Sequence, residues 1–317
     1  MRTTRTTLTR RREAQIHGVV VVDKPAGPTS HDMVDRVRRA LGERRVGHTG
    51  TLDPFATGVL PVCVGKATRL VRFLAKGDKV YEATVRLGFA TTTDDLSGEA
   101  LGPIRPVVIE ESALRNALRG LTGPLDQRPP AYSAKHVQGK RMYELAREGA
   151  LVAPAPSRVT VHEIRLQEVA GDLLRIEVRC SPGTYIRAIA RDLGEALGCG
   201  GHLSGLRRTR TGTFGLEQAV PGDALDGSVR ERLVPLRDCL LEWPTVQVTE
   251  EGKRALRHGR ELSRELVAMG FPEGVPAEWY RVVDDEGELL ALAAARGFDV
   301  VAGPAPTLHP DVVLLTL

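Results

Sequence analysis

The segments with β-strand patterns do not alternate regularly with helical ones, and this order constrains the fold more than any other feature. Residues 80–88 and 173–180 alternate apolar with charged or polar side chains, which is the period of a strand with one buried face. Another strand is expected near 158–169, and the apolar run Gly18–Asp23 predicts a short buried one. The sequence therefore predicts an α+β fold with a mixed, largely antiparallel sheet.

Three helices are expected between these strands. Apolar residues recur at helical spacing in 31–41, in 110–121 and in the segment that follows Thr184. Ser30 and Thr184 are the predicted N-caps of the first and third helices. Arg187 lies in the first turn of the third helix, away from its apolar stripe.

Charge divides the chain into two unlike parts. Only seven of the 44 Lys and Arg residues, but 13 of the 40 Asp and Glu residues, lie from residue 241 onward. That part therefore carries a net charge of −6, and residues 1–240 carry +10, which suits a polyanionic partner. The longest apolar run, Leu289–Ala295, is too short to span a bilayer, so no membrane partner is expected.

Three parts of the chain follow from these patterns. Residues 1–16 contain several arginines without an apolar run, which predicts a basic, disordered arm. Residues 17–243 form the expected large domain. Residues 244–317 form a small, mostly-β domain, because Trp279–Val283 and Glu288–Ala293 flank a turn and predict a hairpin. Four cysteines without a C-x-x-C pair fit a reducing cytoplasm, and we expect no structural metal.

The segment Gly47–Gly58, GHTGTLDPFATG, is a loop rich in glycine and threonine that contains Asp53. An Asp-Pro pair most often forms a local turn. Glycines, however, let the backbone approach a substrate closely, and an aspartate acts as a nucleophile or general base without a cofactor. Asp53 is therefore the candidate catalytic residue. His48, in the same loop, could orient the loop or bond a phosphate.

Two further side chains are candidates for the same site. Tyr81 belongs either to the core or to a surface that stacks on an unstacked base, an interaction of about 1–3 kcal/mol. Arg187 is either solvated or paired with a carboxylate, because the helix dipole disfavours a cation in a first turn. Asp53 is the expected partner, and the arginine is expected to keep it ionised. Phosphate-loop and dinucleotide motifs fail on spacing, and the sequence contains no G-x-S-x-G motif of serine hydrolases and no H-E-x-x-H motif of zinc proteases.

From about Gly18 to Val220, the chain resembles the bacterial tRNA pseudouridine synthase B family in motifs that occur in the same order. They are GVVVVDKPAG, GHTGTLDPFATGVLPVCVGKATRL, VYEATVRLG, QRPPAYSAKHVQGKRMYELAREG and CSPGTYIRAIARDLGEALGCGGHLSGLRRTRTG. The resemblance implies an enzyme that isomerises uridine 55 in the TΨC loop of tRNA to pseudouridine without a cofactor. Residues 244–317 resemble the PUA domain of the family in position and general character.

The resemblance also implies roles for individual residues. Asp53 matches the essential aspartate, Tyr81 the tyrosine that stacks on the flipped base, and Arg187 the arginine that pairs with the aspartate. The remaining matches are Tyr185 and Leu206 in the base pocket, His48 beside the flipped nucleotides, Asp95 as an alternative partner of the arginine, and Lys24 near the pocket. Residues 126–152 match the mobile segment that closes on the RNA. Whether the aspartate attacks the ribose or the base, or takes a sugar proton, stays open.

Two other functions remain as alternatives. A non-catalytic RNA-binding or tRNA-folding protein on the same scaffold would not need to keep Asp53, Tyr81 and Arg187 together. A hydrolase of glycosidic bonds would need a second acid, such as Asp94 or Asp95, near Asp53. We expect a monomer that acts on the T arm of tRNA without an obligate protein partner. A cationic patch at 253–260 could hold the acceptor stem.

Overall fold

The computed structural model describes residues 16–130, 155–273, 275–297 and 306–315, and the backbone alone of 136–137 and 140–141. Almost all of the predicted arm, 1–16, and most of the predicted closing segment, 126–152, lie outside these residues. The described helices are α1 (Ser30–Leu41), α2 (Val71–Leu74), α3 (Glu111–Gly120), α4 (Ile186–Ala196) and α5 (Glu250–Arg257).

The strands are numbered in chain order. Those up to residue 127 are β1 (Gly18–Lys24), β2 (Val46–His48), β3 (Thr57–Val64), β4 (Lys79–Leu87), β5 (Ala90–Thr91), β6 (Ala100–Leu101) and β7 (Gly123–Gln127). Those up to residue 221 are β8 (His136–Val137), β9 (Lys140–Arg141), β10 (Ser157–Ala170), β11 (Leu173–Cys180), β12 (Gly201–Thr211), β13 (Phe214–Gly215) and β14 (Val220–Pro221). The last five are β15 (Thr245–Val248), β16 (Val267–Met269), β17 (Trp279–Val283), β18 (Leu289–Arg296) and β19 (Thr307–Val313).

The main sheet has the order β14-β1-β3-β12-β4-β11-β10-β7, with β2 added beside β3 and β13 beside β12. Its pairs are antiparallel except for β1 with β14 and β3 with β12. This sheet confirms the predicted α+β class. The alternation in β4 buries Tyr81, Ala83, Val85 and Leu87 and leaves Glu82 and Arg86 exposed, because one face of the sheet packs against the helices.

The helices lie where the spacing predicts them, but two predicted N-caps are wrong. Thr29 caps α1, and it forms a capping box with Asp32. The Ser30 hydroxyl instead exchanges hydrogen bonds with the backbone of Leu52. At α4 the N-cap residue is Tyr185, without a side-chain cap, because the Thr184 hydroxyl donates to the carbonyl of Ser181. Both hydroxyls are used for loop contacts that helical periodicity does not reveal.

The C-terminal strands form a separate sheet in the order β16-β15-β17-β18-β19. The predicted hairpin is confirmed as β17 paired antiparallel with β18. One apolar cluster contains residues of both sheets, and Phe73 contacts the rings of Trp243 and Trp279 within it. The small β domain therefore packs directly on the large one. Among the described helices, none has the length and apolar character to cross a membrane.

Gly58 lies where β3 runs beside β12, and it has no room for a side chain. A Cβ atom there would lie 2.1 Å from the carbonyl oxygen of Arg208, and its φ is +101°. We predict that Gly58→Ala lowers the free energy of unfolding by on the order of 3 kcal/mol, through backbone strain and overpacking. Urea denaturation followed by circular dichroism measures this.

Gly47→Ala, in the strand β2 that pairs with β3, is the matched control. A Cβ atom at Gly47 meets nothing within 4 Å, so its expected effect is within about 0.5 kcal/mol. Equal unfolding midpoints for the Gly58 variant and the wild type would show that the contact with Arg208 is not restrictive.

Candidate active site

A cavity of about 420 Å³ lies between the Asp53 loop, the strands β4 and β12, and the start of α4. Asp53, Tyr81, Tyr185, Arg187 and Leu206 all line it. Asp53 and Leu206, the two most distant of them, are 153 positions apart in the chain. The paired strands β4 and β12 and the helix after β11 bring these residues together. Five of the eight predicted site residues therefore face one cavity.

The loop that carries Asp53 is held by hydrogen bonds from its surroundings. The Asp53 carbonyl accepts a bond from the Ala56 amide at 3.1 Å, so the turn at Pro54 is closed by the backbone. The Ser30 hydroxyl holds both backbone groups of Leu52. The Gly27 amide donates to the Pro54 carbonyl at 2.8 Å. The Asp53 carboxylate is consequently not needed for the local turn and is available to other groups.

Lys24 fixes this loop through hydrogen bonds from its ammonium group. Its ammonium group is fully buried and donates to the carbonyls of Pro25, Pro28 and Pro54 at 2.8, 2.7 and 3.1 Å. Burial lowers the pKa of Lys24 to about 8, and the nearby Asp53 carboxylate opposes that shift. Lys24 does not line the cavity. Lys24 lies beside the Asp53 loop, near the pocket as the resemblance implies, and its hydrogen bonds hold that loop in position.

Arg208 holds the other side of the loop, and the sequence analysis did not single it out. Its guanidinium is buried and donates to the carbonyls of Val59, Gly50 and Thr51 at 2.8, 3.1 and 3.5 Å. It also lines the cavity beside Tyr81. The sequence contains one signal for it: Arg208 is two residues after Leu206 in β12, so both side chains are expected on the same face of the strand.

Arg187 joins two carboxylates at the wall of the cavity. Its Nε lies 3.0 Å from Asp53 Oδ2, its Nη2 donates to Asp53 Oδ1 at 3.4 Å, and its Nη1 donates to Asp95 Oδ2 at 3.2 Å. Asp95 is itself fixed, because its Oδ1 accepts bonds from the Thr93 hydroxyl and the Ser97 amide. The guanidinium is only 7% exposed, so these contacts fix its plane.

Burial sets the direction of the pKa shift at Asp53. It raises the pKa of this carboxyl above its ordinary value; Arg187 opposes the shift, Asp95 adds to it, and Lys24 opposes it. The expected arginine partner is in place, and its charge favours the ionised carboxylate against the effect of burial. The Asp53 side chain stays 35% exposed, so it is accessible from the cavity.

The aromatic and apolar walls complete the cavity. Tyr81 is 8% exposed, and burial raises the pKa of its hydroxyl, while the adjacent Arg208 guanidinium opposes that shift. Lys79 also lines the cavity; burial lowers its pKa to about 8, and Arg208 adds to this. Cations therefore outnumber carboxylates on the described walls, which favours an anionic ligand group.

His48 and Asp95 do not line the cavity. Burial lowers the pKa of His48, and the Arg208 charge adds to the shift, which favours a neutral imidazole. Its Nδ1 has no hydrogen-bond partner among the described residues. Asp94 pairs with Arg191 at 2.9 Å. Neither Asp94 nor Asp95 is thus an unpaired acid beside Asp53. Within the described ranges, no three His, Cys, Asp or Glu side chains cluster as metal ligands.

Comparison with known families places this chain in a class of enzymes. Residues 38–186 match the model of the TruB family pseudouridylate synthase N-terminal domain, and residues 187–243 match the tRNA pseudouridylate synthase B C-terminal domain. A solved structure of an H/ACA RNP bound to a substrate RNA containing 2'-deoxyuridine is similar, with a TM-score of 0.70 and 26% identity. That likeness covers 94% of this chain and 85% of the other. The class is that of the pseudouridine synthases.

Similarity to individual proteins is more specific. A tRNA pseudouridine synthase B from Solibacter usitatus (strain Ellin6076) is 42% identical over 303 residues, covering 94% of this chain and 99% of that protein. One from Thermobifida fusca (strain YX) is 49% identical over 288 residues, covering 88% and 94%. The chain belongs to the tRNA pseudouridine synthase B family. Neither family model extends past residue 243, so the PUA-like assignment of 244–317 stays a prediction.

The charges around Asp53 predict how its ionisation responds to substitution. We expect its carboxyl to titrate above the ordinary aspartate pKa of about 3.9. Asp95→Asn removes a charge that raises the pKa of Asp53 and should therefore lower it. Carbon-13 NMR of protein labelled at the aspartate carboxyl measures the pKa of Asp53 in the wild type and in Asp95→Asn. The Asp53 signal is assigned from its loss in Asp53→Asn.

Asp94→Asn is the matched control for this titration. It removes the neighbouring charge, which is paired with Arg191, and Asn readily adopts the positive φ of residue 94. An equal shift of the Asp53 signal in the two variants would contradict the assigned charge interactions.

Proposed function

We propose that this protein isomerises uridine 55 in the TΨC loop of tRNA to pseudouridine, with Asp53 as the catalytic carboxylate. One observation carries the proposal: the buried Arg187 guanidinium holds both Asp53 oxygens at the wall of a cavity that Tyr81 also lines. Family membership and the relatives named tRNA pseudouridine synthase B support the reaction and the substrate class.

The reaction needs no cofactor, because its atoms balance within the substrate. The bond from uracil N1 to the ribose C1' breaks, the base turns, and a bond from C5 to C1' forms. The C5 proton leaves and N1 gains a proton, so the composition of the nucleotide is unchanged. Asp53 can serve as a nucleophile toward the ribose or the base, or as the base that takes a sugar proton, and its ionised form is the reactive one.

The target uridine must leave the stack before it enters the cavity, at a cost of a few kcal/mol. Stacking on Tyr81 offsets about 1–3 kcal/mol of that cost. Tyr81, Arg208 and Leu206 line the cavity together with the Asp53 loop. Tyr185 and Arg187 line it as well. These contacts hold an extruded base close to the Asp53 carboxylate.

The surroundings of the cavity suit a folded RNA. Residues 1–240 carry a net charge of +10, and contacts of arginine and lysine with phosphates position an RNA without reading its sequence. In the small domain, the exposed side chains of Arg254, Arg257 and Arg260 are candidates for the acceptor stem, whereas Lys253 is bound by Glu250 and Asp285. We propose that the protein acts on the tRNA as a monomer.

The two alternative functions have less support. A glycosidic hydrolase requires a second acid, and both nearby carboxylates are occupied by arginines. A non-catalytic RNA-binding protein would not require the bidentate contact between Arg187 and Asp53. The following assay separates it from an enzyme.

We predict that the protein releases tritium from a tRNA transcript labelled at uridine C5, and that Asp53→Asn stops this release while tRNA binding persists. The amide keeps the size of the side chain and removes its nucleophilic and basic character. The exposed carboxylate of Asp172, paired with Arg86, gives the matched control Asp172→Asn, which should react normally. A transcript with cytidine in place of uridine 55 should release none.

Three results would count against these proposals. Full turnover by Asp53→Asn would reject the catalytic role of the carboxylate. Equal release from the cytidine-55 transcript would reject the site specificity. A wild-type protein that binds tRNA without releasing tritium would favour the RNA-binding alternative.

Arg187→Lys should lower the maximal rate by on the order of 10- to 100-fold, which corresponds to the loss of one or two charge-assisted hydrogen bonds. An ammonium group cannot contact both oxygens of Asp53 and Asp95 at once, as the planar guanidinium does. Binding of tRNA, measured by filter retention, should change little. Arg175→Lys, at an exposed pair with Glu168, is the control. Parallel losses of rate and binding would contradict this assignment.

A further inference from the structure

Gln127 is a buried amide that the reaction as described does not use. It is the last residue of β7 and is 3% exposed. Its Nε2 donates to the Tyr185 carbonyl at 3.1 Å, and its Oε1 accepts from the Tyr185 amide at 2.8 Å. One side chain thus satisfies both backbone groups of one residue, in the way that a neighbouring strand would.

Tyr185 is the point at which this contact can influence the site. It is the N-cap residue of α4 and has no side-chain cap of its own. Its carbonyl also accepts a bond from the Ile189 amide at 3.2 Å, so Gln127 shares the first acceptor of the helix. Tyr185 lines the cavity and Arg187 is two residues further on. The direction in which α4 begins therefore sets where the guanidinium meets Asp53.

The next residue strengthens the connection. The Arg128 carbonyl accepts a bond from Arg191 Nη2 at 3.0 Å, one turn further along α4. The end of β7 is thereby bonded to α4 both before and after Arg187. Pro129 and Pro130, also buried, follow directly. The contact belongs to a well-packed part of the molecule, where small displacements are transmitted rather than absorbed.

We propose that Gln127 is a positioning residue that sets the orientation of Tyr185 and Arg187, and through Arg187 that of the Asp53 carboxylate. Its effect on turnover rests on the proposed function. Only an amide of this length supplies a donor and an acceptor at the required separation. Leu leaves the Tyr185 amide unpaired, and Asn has the same chemistry but is one methylene too short to form both bonds.

The experiment compares Gln127→Leu and Gln127→Asn with the wild type by two measurements on the full chain. The first is the carbon-13 titration of the Asp53 carboxyl, which does not depend on activity. A displaced Arg187 opposes the burial effect less, so the pKa of Asp53 should rise in both variants. The second is tritium release, for which the rate at saturating tRNA should fall by about 10²-fold with binding nearly unchanged.

Gln218→Leu is the matched control. It also removes a hydrogen bond between a glutamine side chain and the backbone, which the Gly215 amide donates to Gln218 Oε1 at 3.2 Å, and Gln218 does not line the cavity. It should leave the Asp53 titration and the rate unchanged. Thermal unfolding of all three variants separates a general loss of stability from a change at the site. If Gln127→Leu does not fold, the comparison with the wild type uses Gln127→Asn alone.

Two outcomes would overturn the proposal. One is a pKa of Asp53 in the Gln127 variants that equals the wild-type value. The other is a lower unfolding temperature together with wild-type turnover at temperatures where the variants are still folded. If the wild type released no tritium, the proposed function would fail, but the Asp53 titration would still decide whether Gln127 positions Arg187.

Discussion

The buried guanidinium of Arg208 is the interaction on which the site depends most. A buried cation is stable only where its donors are satisfied. Here the carbonyls of Gly50, Thr51 and Val59 satisfy them, and these residues flank Asp53 in the loop on both sides. The same hydrogen bonds that satisfy the guanidinium also fix the conformation of the loop. Gly58 makes this possible, since the two backbones approach too closely there for any other residue.

The electrostatics of Asp53 result from competition between burial and one shared arginine. Burial disfavours the carboxylate, whereas Arg187 favours it. The guanidinium also binds Asp95, so its charge is divided between two acids. Burial and the Asp95 charge together raise the pKa of Asp53 although a cation lies only 3.0 Å away. A carboxylate that is incompletely stabilised in its ionised form is also more reactive as a base or a nucleophile than one with an arginine to itself.

The sequence predicted β1, β4, β10, β11 and the helices α1, α3 and α4, because alternation and helical spacing report which face of each element is buried. It did not predict β3 and β12, which lie in the middle of the main sheet. It predicted less well the residues whose role depends on contacts between distant segments. The hydroxyls of Ser30 and Thr184 were assigned as helix caps, although they bind loop backbone instead. Arg208 and Gln127 were not singled out as site residues, because the burial of a polar side chain depends on contacts with distant segments that a local sequence pattern does not report. The motif resemblance brought Asp53, Tyr81 and Arg187 together before any distance was known.

The acidic small domain does not prevent the rest of the chain from attracting RNA. Charges separated by more than about 8 Å in solution are largely screened at physiological ionic strength. The +10 of residues 1–240 and the −6 of the remainder therefore act on different parts of a bound RNA. The small domain is attached through apolar contacts, including Phe73 with Trp243 and Trp279. Ion pairs of Arg72 with Asp311 and of Arg237 with Glu288 add to these apolar contacts. The small domain can therefore present a few arginines from a fixed position without contributing a basic surface of its own.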